Sequence, residues 1–159
     1  MRSSLIAALL LLASPFVQAQ DALDVKEAWV RATVPAQTST GAFMQLLAPA
    51  GGRLVSAKSP VAGTVEIHEM ALENNVMKMR AVSGVDLPPG KTVDLKPGGY
   101  HVMLMGLKKP IAAGDHVMLT LVFEGRNKKR SNIEVHAMAR PINTMGNPAP
   151  KGEAMKMAQ

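Results

Sequence analysis

The sequence predicts an all-β fold, an antiparallel sandwich or barrel, and three observations carry that expectation. Past the N-terminal leader, no segment of useful length repeats its apolar residues at helical spacing. Short runs rich in Val, Ile, Leu and Met recur instead between clusters of Gly, Pro, Asn and Asp, the punctuation of strands and tight turns. Within several of these runs aliphatic and polar residues alternate, as strands with one buried face require.

The elements follow in order. Val25–Ala32 contains the only Trp, Trp29, read as core, and Gly41–Leu47 contains Phe43 and Met44. The turn Pro49-Ala50-Gly51-Gly52 leads into Arg53–Ser59. In Gly63–Met70, Val65 and Ile67 share one face, and Glu66, His68 and Met70 share the other. Glu73-Asn74-Asn75 then turns the chain into Val76–Val82, where Met77 and Met79 lie opposite Lys78 and Arg80. Pro88-Pro89-Gly90 precedes Thr92–Leu95, and Pro97-Gly98-Gly99 precedes His101–Gly106. There Tyr100, Val102 and Leu104 point one way, and His101, Met103 and Met105 the other. The aliphatic sets are the natural core, so both His-bearing faces are expected to look outward or towards a rim. His116–Phe123 has one apolar face of Val117, Leu119, Leu121 and Phe123. Glu124-Gly125-Arg126 opens a basic run, Arg126 to Arg130, read as a solvated hairpin turn before Asn132–Ala139. Beyond Pro141 alternation stops and Pro, Gly, Lys and Met dominate, so residues 141–159 read as a flexible tail.

Residues 1–19 read as a secretory signal peptide. Arg2 is the positive start, Leu5 to Ala13 an apolar run of nine, and Val17-Gln18-Ala19 a small-residue cleavage site. Nine apolar residues fall short of the ~20 that span a bilayer. The expected mature chain is Gln20 to Gln159, with one domain over 20–140, no transmembrane segment and a periplasmic location. Zero Cys excludes disulfides, a thiolate-ligated blue-copper site and the lipid-attachment residue of a lipoprotein. With Arg2 removed from 18 basic residues, 17 remain against 12 acidic ones, a balance of +5. That charge suits an acidic partner or an anionic surface. With five aromatics and an export signal, it is no argument for nucleic acid.

Every His in the chain has Met two residues later: His68-x-Met70, His101-x-Met103, His116-x-Met118 and His136-x-Met138. With 12 Met in 159 residues, independent placement yields this roughly three times in a hundred thousand. On a strand, residues i and i+2 share a face, so each pair presents an imidazole and a thioether together. Without any thiolate, that donor set favours Cu(I). Filling of an aliphatic-poor core accounts for some of these methionines but not for the repeated pairing.

From His68 the spacing runs ten residues to Met79, twenty-one to His101, and one to Met103. The flanking text includes Ala28-Trp29-Val30-Arg31-Ala32-Thr33, Gly41-Ala42-Phe43-Met44, Leu87-Pro88-Pro89-Gly90-Lys91, and Leu95 through Tyr100 to Leu107. Spacing and flanks together resemble the periplasmic copper chaperone family called PCuAC, over about residues 25 to 139. The resemblance implies a cupredoxin-like Greek-key β-sandwich binding one Cu(I) per domain at an exposed site, with ligands His68, Met79, His101 and Met103. It implies delivery to the CuA centre of cytochrome c oxidase, directly or through a thiol-bearing copper chaperone. Some members carry a Met/His-rich tail that binds additional copper. This tail departs from that pattern: Met145, Met155 and Met157 leave room for weak additional copper, but no His follows His136, which weighs against a Cu(II) site there.

Met70, Met77 and Met105 read as rim residues, and His116 with Met118 as core or surface filler. For His136 and Met138 the structural reading stands beside a weak accessory copper site. Glu66 and Glu69 read as surface charge, with a hydrogen bond to His68 as the alternative. No Cys nucleophile, Gly-x-Ser-x-Gly elbow or phosphate-binding loop is present, so no enzyme is expected. The leading reading is a monomeric copper chaperone; its rivals are a copper buffer and a non-metal interaction module using a plastic Met face. Mass spectrometry of the exported protein should give an N-terminus at Gln20; retention of residues 1–19 would refute the leader assignment.

Overall fold

A computed structural model describes residues 22–141. The leader and the tail beyond Pro141 lie outside the described residues, and the assignments made for them rest on sequence. Ten strands and no helix make up the described chain: β1 (Asp24–Arg31), β2 (Ser39–Leu47), β3 (Gly52–Lys58), β4 (Ala62–Glu73), β5 (Val76–Ala81), β6 (Val85–Leu87), β7 (Thr92–Leu95), β8 (Tyr100–Leu107), β9 (His116–Gly125) and β10 (Arg130–Arg140). They hydrogen-bond in the order β5-β4-β8-β2-β1-β10-β9-β3-β6, with β7 also paired to β2.

The all-β expectation holds, and the nine expected strands are present with small shifts at their ends. Leu46 and Leu104 from one end of that strand order share a single buried core with Leu54, Leu121 and Phe123 from the other. The sheet therefore curls over, and its inner faces pack as the two layers of a sandwich. Turn chemistry does what the sequence suggested. Asn74 and Asn75 both take positive φ (51° and 62°), which suits a two-residue hairpin between β4 and β5. The basic run turns the chain between β9 and β10, where Gly125 N–H donates to the Lys129 carbonyl at 2.9 Å.

Two features differ from the expectation. The sheet is not wholly antiparallel, because β1 and β10 pair in parallel, Trp29 beside Met138 and Val30 beside Ala139. Strand β6 was not expected. Its three residues lie between Gly84 and Pro88, too short for alternation to register, yet Val85 and Leu87 are buried against the rest of the core.

One irregularity prepares the functional face. Between Lys26 and Trp29, β1 gains a residue relative to β2, and Glu27 adopts φ 51°. The extra residue reverses the inside-outside parity. Val30 thus faces the core, and Trp29 lands opposite Phe43 on the outer face. Trp29 is buried as expected, but it packs on Phe43 with ring centroids 4.5 Å apart, outside the main core cluster.

Leu119 is fully enclosed in the centre of β9. Leu119→Ala should cost about 2–5 kcal/mol, read as a lowered urea midpoint with an unchanged m-value; a midpoint within error of the parent would contradict the packing described.

Candidate metal centre

The four expected ligands fall on one face of three adjacent strands. In the β4–β8 register His68 stands directly opposite His101, and Glu66 opposite Met103. In the β4–β5 register Met79 stands opposite Met70. The inner-face partners in the same ladder are Ile67 with Val102 and Val65 with Leu104. Alternation then sends His68, Met70, Met79, His101 and Met103 to the outer side. Met70, Met79, His101 and Met103 line one cleft of about 210 Å³. His68 sits beside that cleft, its ring edge-on to His101 with centroids 5.8 Å apart.

The histidines do not simply look outward. His101 is only 4% exposed, packed between the rings of His68 and Phe43 and the Gly99 carbonyl. Met79 is 46% exposed, on an edge strand whose six residues are all exposed. The centre thus joins one buried imidazole to one accessible thioether.

Hydrogen bonds decide which ring nitrogens are free. His101 Nδ1 lies 3.0 Å from the Gly99 carbonyl. A carbonyl only accepts, so Nδ1 carries the proton and Nε2 keeps its lone pair. His68 Nε2 lies 2.9 Å from Glu66 Oε2. An ionised carboxylate accepts too, so in neutral His68 the proton sits on Nε2 and the lone pair on Nδ1. That Nδ1 is buried and has no hydrogen-bond partner. A buried polar atom without a partner carries a cost of roughly 1–3 kcal/mol, and a metal ion is one group that removes it. These residues fit a soft monovalent ion: two neutral nitrogen donors and nearby thioethers, each imidazole oriented through its other nitrogen.

The surroundings refine the chemistry. Phe43 supports His101 from β2, with ring centroids 6.1 Å apart. It lies over Gly41, where an added Cβ would stand 2.7 Å from Phe43 Cζ. The Arg31 guanidinium sits 5.7 Å from the Phe43 ring centre and lines the cleft. Burial pushes the His101 imidazole below its ordinary value; the Gly99 hydrogen bond opposes this, and the charges of His68 and Arg31 reinforce it. On the other side of the hairpin Arg80 donates to Glu69 at 2.9 and 3.1 Å, which holds that carboxyl below its usual range. The cleft is smaller than the 300–1,000 Å³ usual for organic ligands, so it suits an ion and an incoming side chain.

Some residues play parts the sequence assigned differently. Glu66, read as surface charge, is the hydrogen-bond partner of His68, whereas Glu69 pairs with Arg80. Met70, read as rim, lines the cleft beside its cross-strand partner Met79. Arg31, Gly41 and Phe43 were visible only as flanking text, because their relation to His101 depends on the β2–β8 register.

The LpqE-like family model, described as "Putative lipoprotein LpqE-like", matches residues 23–137. "Putative lipoprotein Lxx21020" of Leifsonia xyli subsp. xyli is 36% identical over 104 residues, 65% of this chain. The match spans 63% of that relative's length. The copper-bound PCuAC domain from PmoF2 is similar in structure, with a TM-score of 0.61 at 25% identity, covering 75% of this chain and 92% of that one. The solution structure of CuI-DR1885 from Deinococcus radiodurans gives 0.60 at 30% identity, covering 82% and 87%. The sandwich matches these PCuAC domains, and the cupredoxin-like expectation stands.

The lowered His101 value has a defined sign. Its folded pKa lies below the unfolded value of about 6.5, so the unfolded chain binds more protons between the two. The contribution to stability is complete above about pH 6.5 and is lost as pH falls towards the folded value. NMR titration of the metal-free protein should place His101 below that ordinary value, with urea midpoints declining over the same window. A value at or above it would refute the buried neutral imidazole.

Proposed function

This chain belongs to the LpqE-like family, matched over residues 23–137, and we propose that it is an extracytoplasmic copper chaperone that carries one Cu(I) ion as cargo. The ligands are His68, Met79, His101 and Met103, with Met70 beside them. The observation that carries this reading is the buried, unpartnered Nδ1 of His68 next to His101, whose own Nδ1 is committed to Gly99. Two structural relatives are described as copper-bound and Cu(I)-bound, which supports the same cargo here.

The geometry favours carriage and release. Imidazole and thioether are neutral, so a two-His, two-Met set leaves the single charge of Cu(I) uncompensated and holds it less tightly than thiolates do. Met79, the exposed donor, is where an incoming thiolate would displace a ligand first, while buried His101 keeps hold. Arg31 in the cleft adds a positive charge that attracts an anionic sulfur. The acceptor that fits is the thiolate-bearing CuA subunit of cytochrome c oxidase, or a thiol-bearing copper chaperone acting before it. The periplasm is the compartment proposed, in keeping with the leader. No helix among the described residues is long and apolar enough to cross a membrane. The descriptions of the family and of one relative contain the word lipoprotein, but these 159 residues contain no Cys to acylate.

Competition with a chromophoric Cu(I) chelator should give one tight equivalent. His101→Ala or Met103→Leu should weaken it at least about tenfold, roughly 1.4 kcal/mol, with folding checked by circular dichroism. Unchanged affinity in both would overturn the ligand set. Mixing the loaded protein with a metal-free CuA domain separates delivery from buffering: copper should move to the acceptor's thiolates, and retention would leave a buffer.

A further inference from the structure

The other two His-x-Met pairs, separate in sequence, are brought together by strand pairing. In the β9–β10 ladder His116 stands opposite Met138 and Met118 opposite His136. The intervening pair, Val117 with Ala137, is buried, so the four named side chains share the outer face. They form a two-by-two square in which each imidazole faces a thioether across the strands and the two imidazoles are diagonal. All four are exposed, Met118 by 40% and Met138 by 51%.

From this square we infer a second binding site for a soft monovalent metal ion, Cu(I) or its mimic Ag(I), formed by His116, Met118, His136 and Met138. Directly opposed residues have Cβ atoms about 4.5–5.5 Å apart, and diagonal neighbours are about 7–8 Å apart. Half that diagonal is within reach of an imidazole or a Met side chain, so all four donors can converge on one ion above the square. Two neutral imidazoles and two thioethers make the same soft donor set as the first centre.

Ordinary packing does not account for the square. Exposed strand positions favour β-branched residues, and the next cross-strand pair on this face, Thr120 with Glu134, is of an ordinary polar kind. Strand β3 ends its ladder pairing with β9 at Lys58 opposite Thr120, and just past it the Ser59 hydroxyl donates to the Met118 carbonyl at 2.7 Å, which fixes the backbone there and leaves the Met118 side chain exposed. The charged groups nearby are Lys108, Lys109 and Asp115 around the cleft that includes His116, Glu134 on β10, and Arg140, two residues past Met138, which lies over the Trp29 ring and pairs with Glu27 at 3.6 Å. Asp115 is occupied by a hydrogen bond from the Ala112 N–H at 2.8 Å.

The two sites are distinct. Trp29 lies beside Met138 and Phe43 near His101, so the stacked Trp29–Phe43 pair stands between them on the same outer face. Among the described residues neither the His116 ring nor the His136 ring is held by a hydrogen bond, unlike the rings of His68 and His101. The second site is therefore less preorganised, and it fills after the first.

The test is an Ag(I) titration of the full mature chain carrying 13C-methyl-labelled methionine, in excess free N-acetylmethionine so that a lone thioether does not score. The first equivalent should shift the Met79 and Met103 methyls. The second should shift Met118 and Met138 together with the His116 and His136 rings. His116→Ala with His136→Ala should abolish the second set and reduce the stoichiometry from two to one, leaving the first set intact. The proposal is overturned if Met118 and Met138 stay unmoved, if the second equivalent shifts only Met145, Met155 and Met157, or if the double variant still binds two ions. Shifts at Met118 and Met138 without any at Met79 and Met103 would support this site while removing the first-centre reading.

Discussion

The pairing of β4 with β8 is the constraint on which the proposed metal centre depends. Its inner face joins Ile67 to Val102 and Val65 to Leu104, and its outer face joins His68 to His101. A slip of one residue in either strand would turn that strand's core side chains to water and its histidine inward. Burial of each such aliphatic side chain stabilises by roughly 1.5–3 kcal/mol, so several together hold the register against any preference of the imidazoles. The core therefore positions the donors. Metal binding need not organise the sheet, because hydrophobic packing has already aligned it.

Around that pairing, neighbouring strands contribute unequal things. Strand β2 supplies Phe43, whose ring packs over Gly41 and supports His101. The bulge in β1 supplies Trp29 behind Phe43, and Arg140 caps the indole from β10 at 5.3 Å. Strand β5 supplies Met79 from an exposed edge. The result grades from a rigid, buried nitrogen to an accessible sulfur within one centre. A site enclosed on every side would hold an ion but leave a partner no first point of attack.

Much of this was legible in the sequence because strand alternation has a period of two. Val65 and Ile67 against Glu66, His68 and Met70, and Val102 and Leu104 against His101 and Met103, identify faces without knowledge of the fold. Alternation says nothing about which strands are neighbours. The parallel β1–β10 pair, the burial of His101 beneath Phe43, and the Glu66 contact to His68 all depend on pairing or on rotamers. Strand β6 leaves no trace in the sequence pattern because three residues cannot display a period. Trp29 was expected to be buried, but an extra residue at the bulge reversed its side, a change invisible to any pattern that assumes regular pleating.

The same limit applies to His116, Met118, His136 and Met138. Taken along the chain, each pair is weak, since one imidazole and one thioether on a surface bind little. A hairpin inverts the second pair relative to the first, so His-x-Met on both strands in this register places unlike donors opposite each other. The two proposed centres then contain the same donor types and differ in surroundings. In the first, hydrogen bonds donated to the Gly99 carbonyl and the Glu66 carboxylate fix which nitrogens are free, and burial shields His101 from water. In the second, the rings must be ordered by the ion itself, and the entropy of ordering exposed side chains is subtracted from the binding. For the two proposed sites, equal donor chemistry thus predicts unequal affinity, with the order of filling set by preorganisation rather than by ligand identity.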